Sequence, residues 1–299
     1  MSKAPVALFV YNRPGHVRRT LRSLVHAGGI EDRCLFVFSD GPRDRRDESR
    51  VGEVRHEVRT APWPGTREVV EREENWGLAR SVITGVSELC TRFGEVVVLE
   101  DDLILSPAFM EYADRALDRY RHDERVMHIS GYMYPMPLRC REAVFMRLIS
   151  SWGWATWARA WSRFRENADE LIQQIRIRGL ERAFSINGSY PYFEMLREQA
   201  RGEIDSWAVR WYASVFLCNG LSLYPPRSLV QNSGHDGSGV HCGSTDRYRT
   251  RMARKAPWHF PSEIREDAAA IHALEEFLRH GRQSPARSVL RKVKRLVRR

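Results

Sequence analysis

Glu100, Asp101 and Asp102 follow directly on Val96-Val97-Val98-Leu99. An apolar run of that kind reads as a strand buried on both faces, so the acids at its end stand where an unpaired carboxylate is costly. A cation removes that cost. A hard divalent ion such as Mg2+ or Mn2+ suits the position, because it favours carboxylate, water and phosphate oxygens. Strand alternation sets Glu100 and Asp102 on one face and Asp101 on the other, so the three need not share one task. A solvated turn is the plainer reading of three acids in a row, and the apolar strand before them argues against it.

Two further strand-like runs end in polar residues suited to a ligand. The first ends in Tyr11-Asn12-Arg13-Pro14-Gly15 with a helix expected immediately after; the amides of a helix start, with a guanidinium, suit a diphosphate. A plain turn would use the same residues. The second ends in Ser39-Asp40-Gly41-Pro42, where a carboxylate at a strand terminus could accept from a base N–H or a ribose hydroxyl, or could simply close an Asx turn. The first hundred residues contain neither G-x-x-x-x-G-K nor G-x-G-x-x-G, so a phosphate loop or dinucleotide fingerprint is not expected.

The elements that must hold these residues follow a βα rhythm in the first half. Strands are expected at 5–11, 34–39, 67–72 and 95–100, and amphipathic helices at 16–27, 47–59, 77–93 and 107–121. That alternation predicts an α/β domain whose ligand sits beyond the carboxyl ends of its strands. After residue 132 the rhythm fails. Pro135 and Pro137 break the chain, helical patterns at 167–184 and 191–218 lead into a Gly/Ser/His-rich loop at 231–245, and a last helix is expected within 262–280. We therefore divide the chain into an α/β half at 1–131, a second half at 132–281 that caps the sheet, and a tail at 282–299.

Composition bounds the classes available. The chain has 299 residues, enough to bury about three-quarters of its unfolded surface, and its 42% hydrophobic and 29% charged content with 20 Gly and 14 Pro excludes collagen-like and wholly disordered chains. Five scattered cysteines, Cys34, Cys90, Cys140, Cys218 and Cys242, form no C-x-x-C pair, so neither a disulfide framework nor a zinc ribbon is expected and a reducing compartment is. The formal charge of +10 is concentrated in the tail. Arg282, Arg287, Arg291, Lys292, Lys294, Arg295, Arg298 and Arg299 carry eight of those charges with no acid among them, leaving +2 for the rest. A nucleic-acid partner is therefore not expected of the body.

Taken in order, Asn12-Arg13-Pro14, Ser39-Asp40-Gly41, Asn75-Trp76-Gly77-Leu78-Ala79-Arg80-Ser81 and Glu100-Asp101-Asp102 resemble the GT-A nucleotide-sugar glycosyltransferases. The likeness is greatest to bacterial family-2-like enzymes related to the N-acetylglucosaminyltransferase I type, whose acidic motif is also Glu-Asp-Asp. It covers roughly residues 4–245, strongly at the strand and acid motif and more weakly in the second half. It implies an α/β, Rossmann-like, mainly parallel sheet flanked by helices, with an acceptor-side cap. By the same likeness Asp102 would ligate a divalent metal, Mn2+ or Mg2+, while Asp101 and Glu100 would approach the donor's ribose and sugar and Asp40 its base. Asn12 and Arg13 would line the nucleotide pocket, with Arg80 near it.

Two matches in the second half add to this. Asp205-Ser206-Trp207-Ala208-Val209-Arg210 resembles the Asp-x-Trp-x-x-Arg region that carries the base in the N-acetylglucosaminyltransferase I type, which makes Asp205 the catalytic candidate; a helix N-cap is the structural alternative. Residues 232–243 look like the Gly-rich loop that closes over the donor, which makes His241 a second metal or diphosphate contact, while His235 stands where that pattern carries a hydrophobic residue. Trp154, Trp157 and Trp161 follow helical spacing and predict a core stripe, leaving the neighbouring indole, Trp152, free to stack on a sugar.

The resemblance implies a metal-dependent, inverting glycosyltransferase that moves a sugar from a nucleotide-sugar donor, with UDP-N-acetylglucosamine the first to try, to a glycan or lipid-linked acceptor. A sugar nucleotidyltransferase shares such a core but would carry a Gly-rich basic loop after the first strand, and a basic-tail nucleic-acid binder is the non-enzymatic alternative. No run reaches eighteen apolar residues and the first residues show no leader, so a cytoplasmic protein is expected. Val289, Leu290, Val293, Leu296 and Val297 fall on one stripe of a basic tail helix, which predicts peripheral attachment to an anionic membrane at its inner face.

Overall fold

A computed structural model describes residues 3–138, 140–235, 245–254 and 259–280. In chain order the elements are β1 (Val6–Val10), α1 (Pro14–Val25), β2 (Leu35–Ser39), α2 (Arg45–Thr60), β3 (Arg67–Glu71), α3 (Leu78–Phe93), β4 (Glu95–Glu100), β5 (Leu103–Leu105) and α4 (Phe109–Arg119). They continue with β6 (Val126–Ser130), β7 (Val144–Met146), β8 (Trp154–Trp157), α5 (Ala158–Trp161), α6 (Ala168–Ile177), α7 (Glu181–Phe184) and α8 (Tyr192–Ala200). The last are α9 (Trp207–Leu217), β9 (Leu221–Tyr224), β10 (Val230–Asn232) and α10 (Ala268–His280).

The fold is α/β. Eight strands form one sheet in the order β3-β2-β1-β4-β8-β6-β9-β7, and β5 pairs with β10 in a small second ladder. The pairs β3–β2, β2–β1, β1–β4 and β6–β9 are parallel, and those made by β8 and β7 are antiparallel. Crossover helices join the parallel strands as the βα rhythm requires. β1, β2 and β6 are buried along their whole length, and β4 to its penultimate residue. β3 differs from the buried reading: at the sheet edge it is half-exposed, which suits its Arg67-Glu68 start. The second half of the chain does more than cover the sheet, since β7, β8 and β9 are members of it.

Two expectations are corrected. Trp154 and Trp157 bound a β-strand, and only Trp161 lies on a helix, the four-residue α5. All three are nonetheless core, at 1%, 2% and 5% exposure; Trp154 stacks on Trp207 and His128 at 5.1 Å each, and Trp161 packs at 5.0 Å on Trp211. Indoles are equally at home on a pleated surface, so i, i+3, i+7 spacing over eight residues does not decide between periods. The helical pattern at 191–218 is two helices, α8 and α9, separated at residues 201–206, where Gly202 takes a φ of +68° that ends α8. The tail lies outside the described residues. Among the described residues no helix is long and apolar enough to cross a membrane.

Candidate active site at the strand ends

The site is built where β1, β2 and β4 stop and α1 begins. Pro14 opens α1, and Arg13 before it makes no side-chain cap; a proline at N1 has no N–H to satisfy, so the turn forms without one. The Arg13 guanidinium instead points across to the acidic run. Its Nη2 donates to Asp101 Oδ1 and, at 3.1 Å, to Asp102 Oδ2. Asp101 and Asp102 are 4% and 7% exposed. Burial works against charge on Arg13, but the two carboxylates outweigh it and hold its pKa above the ordinary value. Burial, partly offset by Arg13, raises Asp101 to about 6, and burial with the charges of Asp102 and Asp101 raises Glu100 to about 8.

The backbone around the acids is pinned. Thr20 Oγ1 of α1 donates to the Asp101 carbonyl at 2.7 Å. β10 lies antiparallel to β5 with Asn232 opposite Leu103, which carries the following residues over Asp102: Ser233 donates to the Asp102 carbonyl from its amide at 2.7 Å and its hydroxyl at 2.9 Å. Asn232 Nδ2 reaches Asp102 Oδ1 at 3.5 Å and its Oδ1 accepts from the Gly234 amide at 2.7 Å. His241 lies outside the described residues; His235 packs 5.1 Å from Trp152 and 5.3 Å from Tyr248. Trp152 is half-buried and packs edge-on against Tyr132 at 4.5 Å and Tyr248 at 5.5 Å.

The ends of β1 and β2 carry contacts that sequence reading missed. Asn12 Nδ2 and the Tyr11 hydroxyl donate to the two oxygens of Asp47, at 2.8 and 2.5 Å. Asp47 stands in the first turn of α2 behind its N-cap Asp44, and an acid in that turn is the signal that could have found it. Burial and the bond to Asp47 push the Tyr11 hydroxyl up to about 12.

Asp40 closes no Asx turn, since the N–H that would do so belongs to position 42, a proline; its carboxylate accepts from Gly41 N at 3.1 Å, Trp76 N at 2.8 Å and Gly77 N at 2.9 Å. It is thus the anchor of the 75–77 loop. Gly41 is required there, because a Cβ would lie 2.5 Å from the Glu74 carbonyl carbon. The anchored Trp76 is sandwiched between guanidiniums, with Arg72 at 3.9 Å and Arg80 at 4.0 Å from its ring centroid. Cation–π attraction holds both: Arg72 is buried and donates to Ser81 Oγ at 2.6 Å, while Arg80 is exposed.

Asp205 is exposed, at the N-terminal approach to α9, and is not its cap: Ser206 Oγ accepts from Val209 N at 3.3 Å. Its Oδ1 instead accepts from Arg210 Nη2 at 3.1 Å. Two residues on, Trp207 stacks on Trp154, whose strand partner is Val98, two residues before Glu100. The base candidate and the acidic run therefore hang on the same end of the sheet.

Among the described residues no three or more His, Cys, Asp or Glu side chains are grouped to hold a metal. A divalent ion that binds through one or two carboxylates completed by substrate phosphates and water would find those ligands in Asp101 and Asp102, in competition with Arg13, which is paired with both.

No protein-family model matches the chain. No curated protein matches it. Solved structures do. A mannosyltransferase from Pyrobaculum calidifontis, in complex with GDP-Man and Mn2+, aligns with 14% identity over 71% of this chain and 74% of its own, at a TM-score of 0.38. S. aureus TarS 1–349 aligns with 12% identity over 78% of this chain and 61% of its own, at 0.44. UDP-glucose pyrophosphorylase complexed with UDP-glucose aligns with 9% identity over 74% and 90%, at 0.37.

Proposed function

We propose that the protein is a metal-dependent, inverting glycosyltransferase that takes a nucleotide-sugar donor, a UDP-sugar with UDP-N-acetylglucosamine first, and delivers the sugar to a hydroxyl of a glycan or lipid-linked acceptor. One observation carries the reading: a buried pair of carboxylates at the carboxyl end of β4, Asp101 and Asp102, bridged by the guanidinium of Arg13 from the end of β1. Those carboxylates would hold a divalent ion which, with Arg13, supplies the positive charge a nucleoside diphosphate needs, at the place where ligands bind in such sheets.

In this reading Asp102, with His241, would hold Mn2+ or Mg2+, whose chemistry is to neutralise charge on the diphosphate leaving group. Arg13 and Arg80 meet the donor's phosphates and Asn12 lines the nucleotide pocket, while Asp40 sets the Trp76 loop beside the base. Glu100 and Asp101 accept hydrogen bonds from the sugar and ribose hydroxyls. Asp205 takes the proton of the attacking acceptor hydroxyl; a positioned base of this kind supplies about 10²- to 10⁴-fold. The basic tail at 282–299 would place a cytoplasmic enzyme at the anionic inner face of a membrane, near a lipid-linked acceptor.

A panel of nucleotide sugars tests the proposal. With Mn2+ present, one donor should raise the melting temperature by mass action and be consumed with release of its nucleoside diphosphate. Stabilisation by none of them, or formation of pyrophosphate from a nucleoside triphosphate and a sugar phosphate, counts against it.

A further inference from the structure

A second concentration of positive charge lies away from the acidic run. A cleft of about 320 Å³ is lined by Arg227, Arg251, Met252, Ala253 and Arg254. None of the three arginine side chains makes a hydrogen bond or an ion pair with another described residue, whereas Arg13, Arg33, Arg147 and Arg210 each pair with a carboxylate. The floor beneath them is rigid. Ala253 N donates to the Ser228 carbonyl at 2.9 Å, the Ser106 hydroxyl donates to the Ala253 carbonyl, and Ser106 N donates to the Leu229 carbonyl at 2.8 Å. Ser106 and Ser228 are each 1% exposed. Arg227 therefore leaves one fixed strand of backbone and Arg251 and Arg254 another, so their Cα positions cannot drift apart to relieve like-charge repulsion.

We infer that this cleft is a binding site for a phosphate group, distinct from the donor site and independent of which sugar is transferred. Three planar guanidiniums lining one cleft suit the oxygens of a phosphate mono- or diester, which can accept bidentate bonds from more than one of them. Ser106 lies four residues past Asp102 along β5, about 13 Å at strand rise, so the cleft is within reach of a substrate or surface engaged at the acidic run. Next along the same segment, Arg247 donates to the Phe277 and Leu278 carbonyls at the end of α10, immediately before the basic tail in the sequence. The phosphate could be carried by a phospholipid headgroup or be free in solution; both present the same oxygens.

The triple variant R227Q/R251Q/R254Q and the single R251Q, both in the full chain, separate these sources. Titration with inorganic phosphate in excess chelator, and co-sedimentation with phosphatidylglycerol against phosphatidylcholine vesicles, are compared with wild type. Donor binding at the Asp102 site should stay unchanged in both variants, so a failure of the glycosyltransferase reading is distinguishable. Loss of phosphate affinity by about tenfold or more, the least expected for charged hydrogen bonds removed, with vesicle binding intact, assigns a free phosphate. A similar loss of phosphatidylglycerol binding assigns a headgroup. Equal binding by wild type and both variants in the two assays overturns the inference, as does wild-type protein that binds neither probe.

Discussion

Gly234 stands so close over Asp102 that a Cβ built on it would fall 2.1 Å from the carboxylate's Oδ2 and 3.1 Å from Arg13 Nη1. The glycine cannot retreat, because Ser233 before it is tied twice to the Asp102 carbonyl. A methyl group there must swing the carboxylate. We expect Gly234→Ala to lower transfer by about 10²-fold, the usual cost of misplacing a reacting group by an ångström, while the melting temperature changes by only a few degrees. A fully active alanine variant would show that Asp102 need not hold this orientation.

Arg13 and a divalent ion are rivals for Asp102 in the absence of donor. The Nη2 of Arg13 already donates to Asp102 Oδ2, and a second cation must either displace the guanidinium or bear its repulsion. Arg13→Gln should accordingly tighten Mn2+ binding to the donor-free protein by about tenfold, a loss of like-charge repulsion worth roughly 1.4 kcal/mol, as read from the free Mn2+ signal in electron paramagnetic resonance. Asp102→Asn should abolish it. Unchanged Mn2+ affinity in Arg13→Gln would place the ion elsewhere.

What the sequence revealed of this site is what local order controls. The Val96–Leu99 run predicts β4 and leaves Glu100, Asp101 and Asp102 at its end, as found, and Asn12-Arg13-Pro14-Gly15 predicts a strand end followed by a helix from residue 16, which begins two residues earlier, at Pro14. The partners are different in kind. Asp47 with Asn12, and Asn232 with Asp102, are separated by 35 and 130 residues, and no periodicity encodes which strand end meets which loop. An Asx turn at Asp40 was one reading of the sequence, but Pro42 has no N–H to close it, and the bonds Asp40 makes to Trp76 and Gly77 depend on β3 pairing with β2. The tryptophan cluster misled because three indoles over eight residues fit a helix stripe, whereas pairing with β4 and the stacking of Trp154 on Trp207 make the segment of the first two a strand.

His128 sets an acid limit on stability. It is fully buried in β6, with Nε2 bonded to the Ser150 carbonyl at 3.0 Å and Nδ1 accepting the indole N–H of Trp211 at 3.2 Å. That pairing admits only the neutral ring, since a proton on Nδ1 would face another donor. Burial lowers its pKa to about 3, against the weaker pull of the Ser150 carbonyl. The stabilisation is therefore complete above pH 6.5 and is lost as pH falls from 6.5 toward 3, because the unfolded chain takes the proton first. At pH 4.5 the loss from this one group is about 3 kcal/mol. Denaturant unfolding at pH 7.5 and 4.5 should show His128→Gln closing on wild type by that amount at the lower pH. A gap that is the same at both values would mean that the ring is not held neutral.

Asp205 offers the sharpest division between chemistry and structure. Ser206, not Asp205, caps α9, so the capping role that the sequence allowed does not explain it. Its remaining structural task is the ion pair with Arg210, whose guanidinium is 7% exposed and which Glu166 also approaches at 3.7 Å. Because Asp205 itself is 64% exposed, the pair is screened by water and is expected to add at most about 1 kcal/mol to stability. Asparagine keeps an oxygen for Arg210 but cannot take up a proton. Asp205→Asn should then fold normally, bind the donor within a few-fold of wild type, and transfer about 10²-fold or more slowly, the loss falling on kcat. Serine or alanine at the same position should behave alike in rate. If Asp205→Asn transfers at the wild-type rate, another group removes the acceptor's proton; if donor affinity and melting temperature fall together instead, the carboxylate serves Arg210 alone.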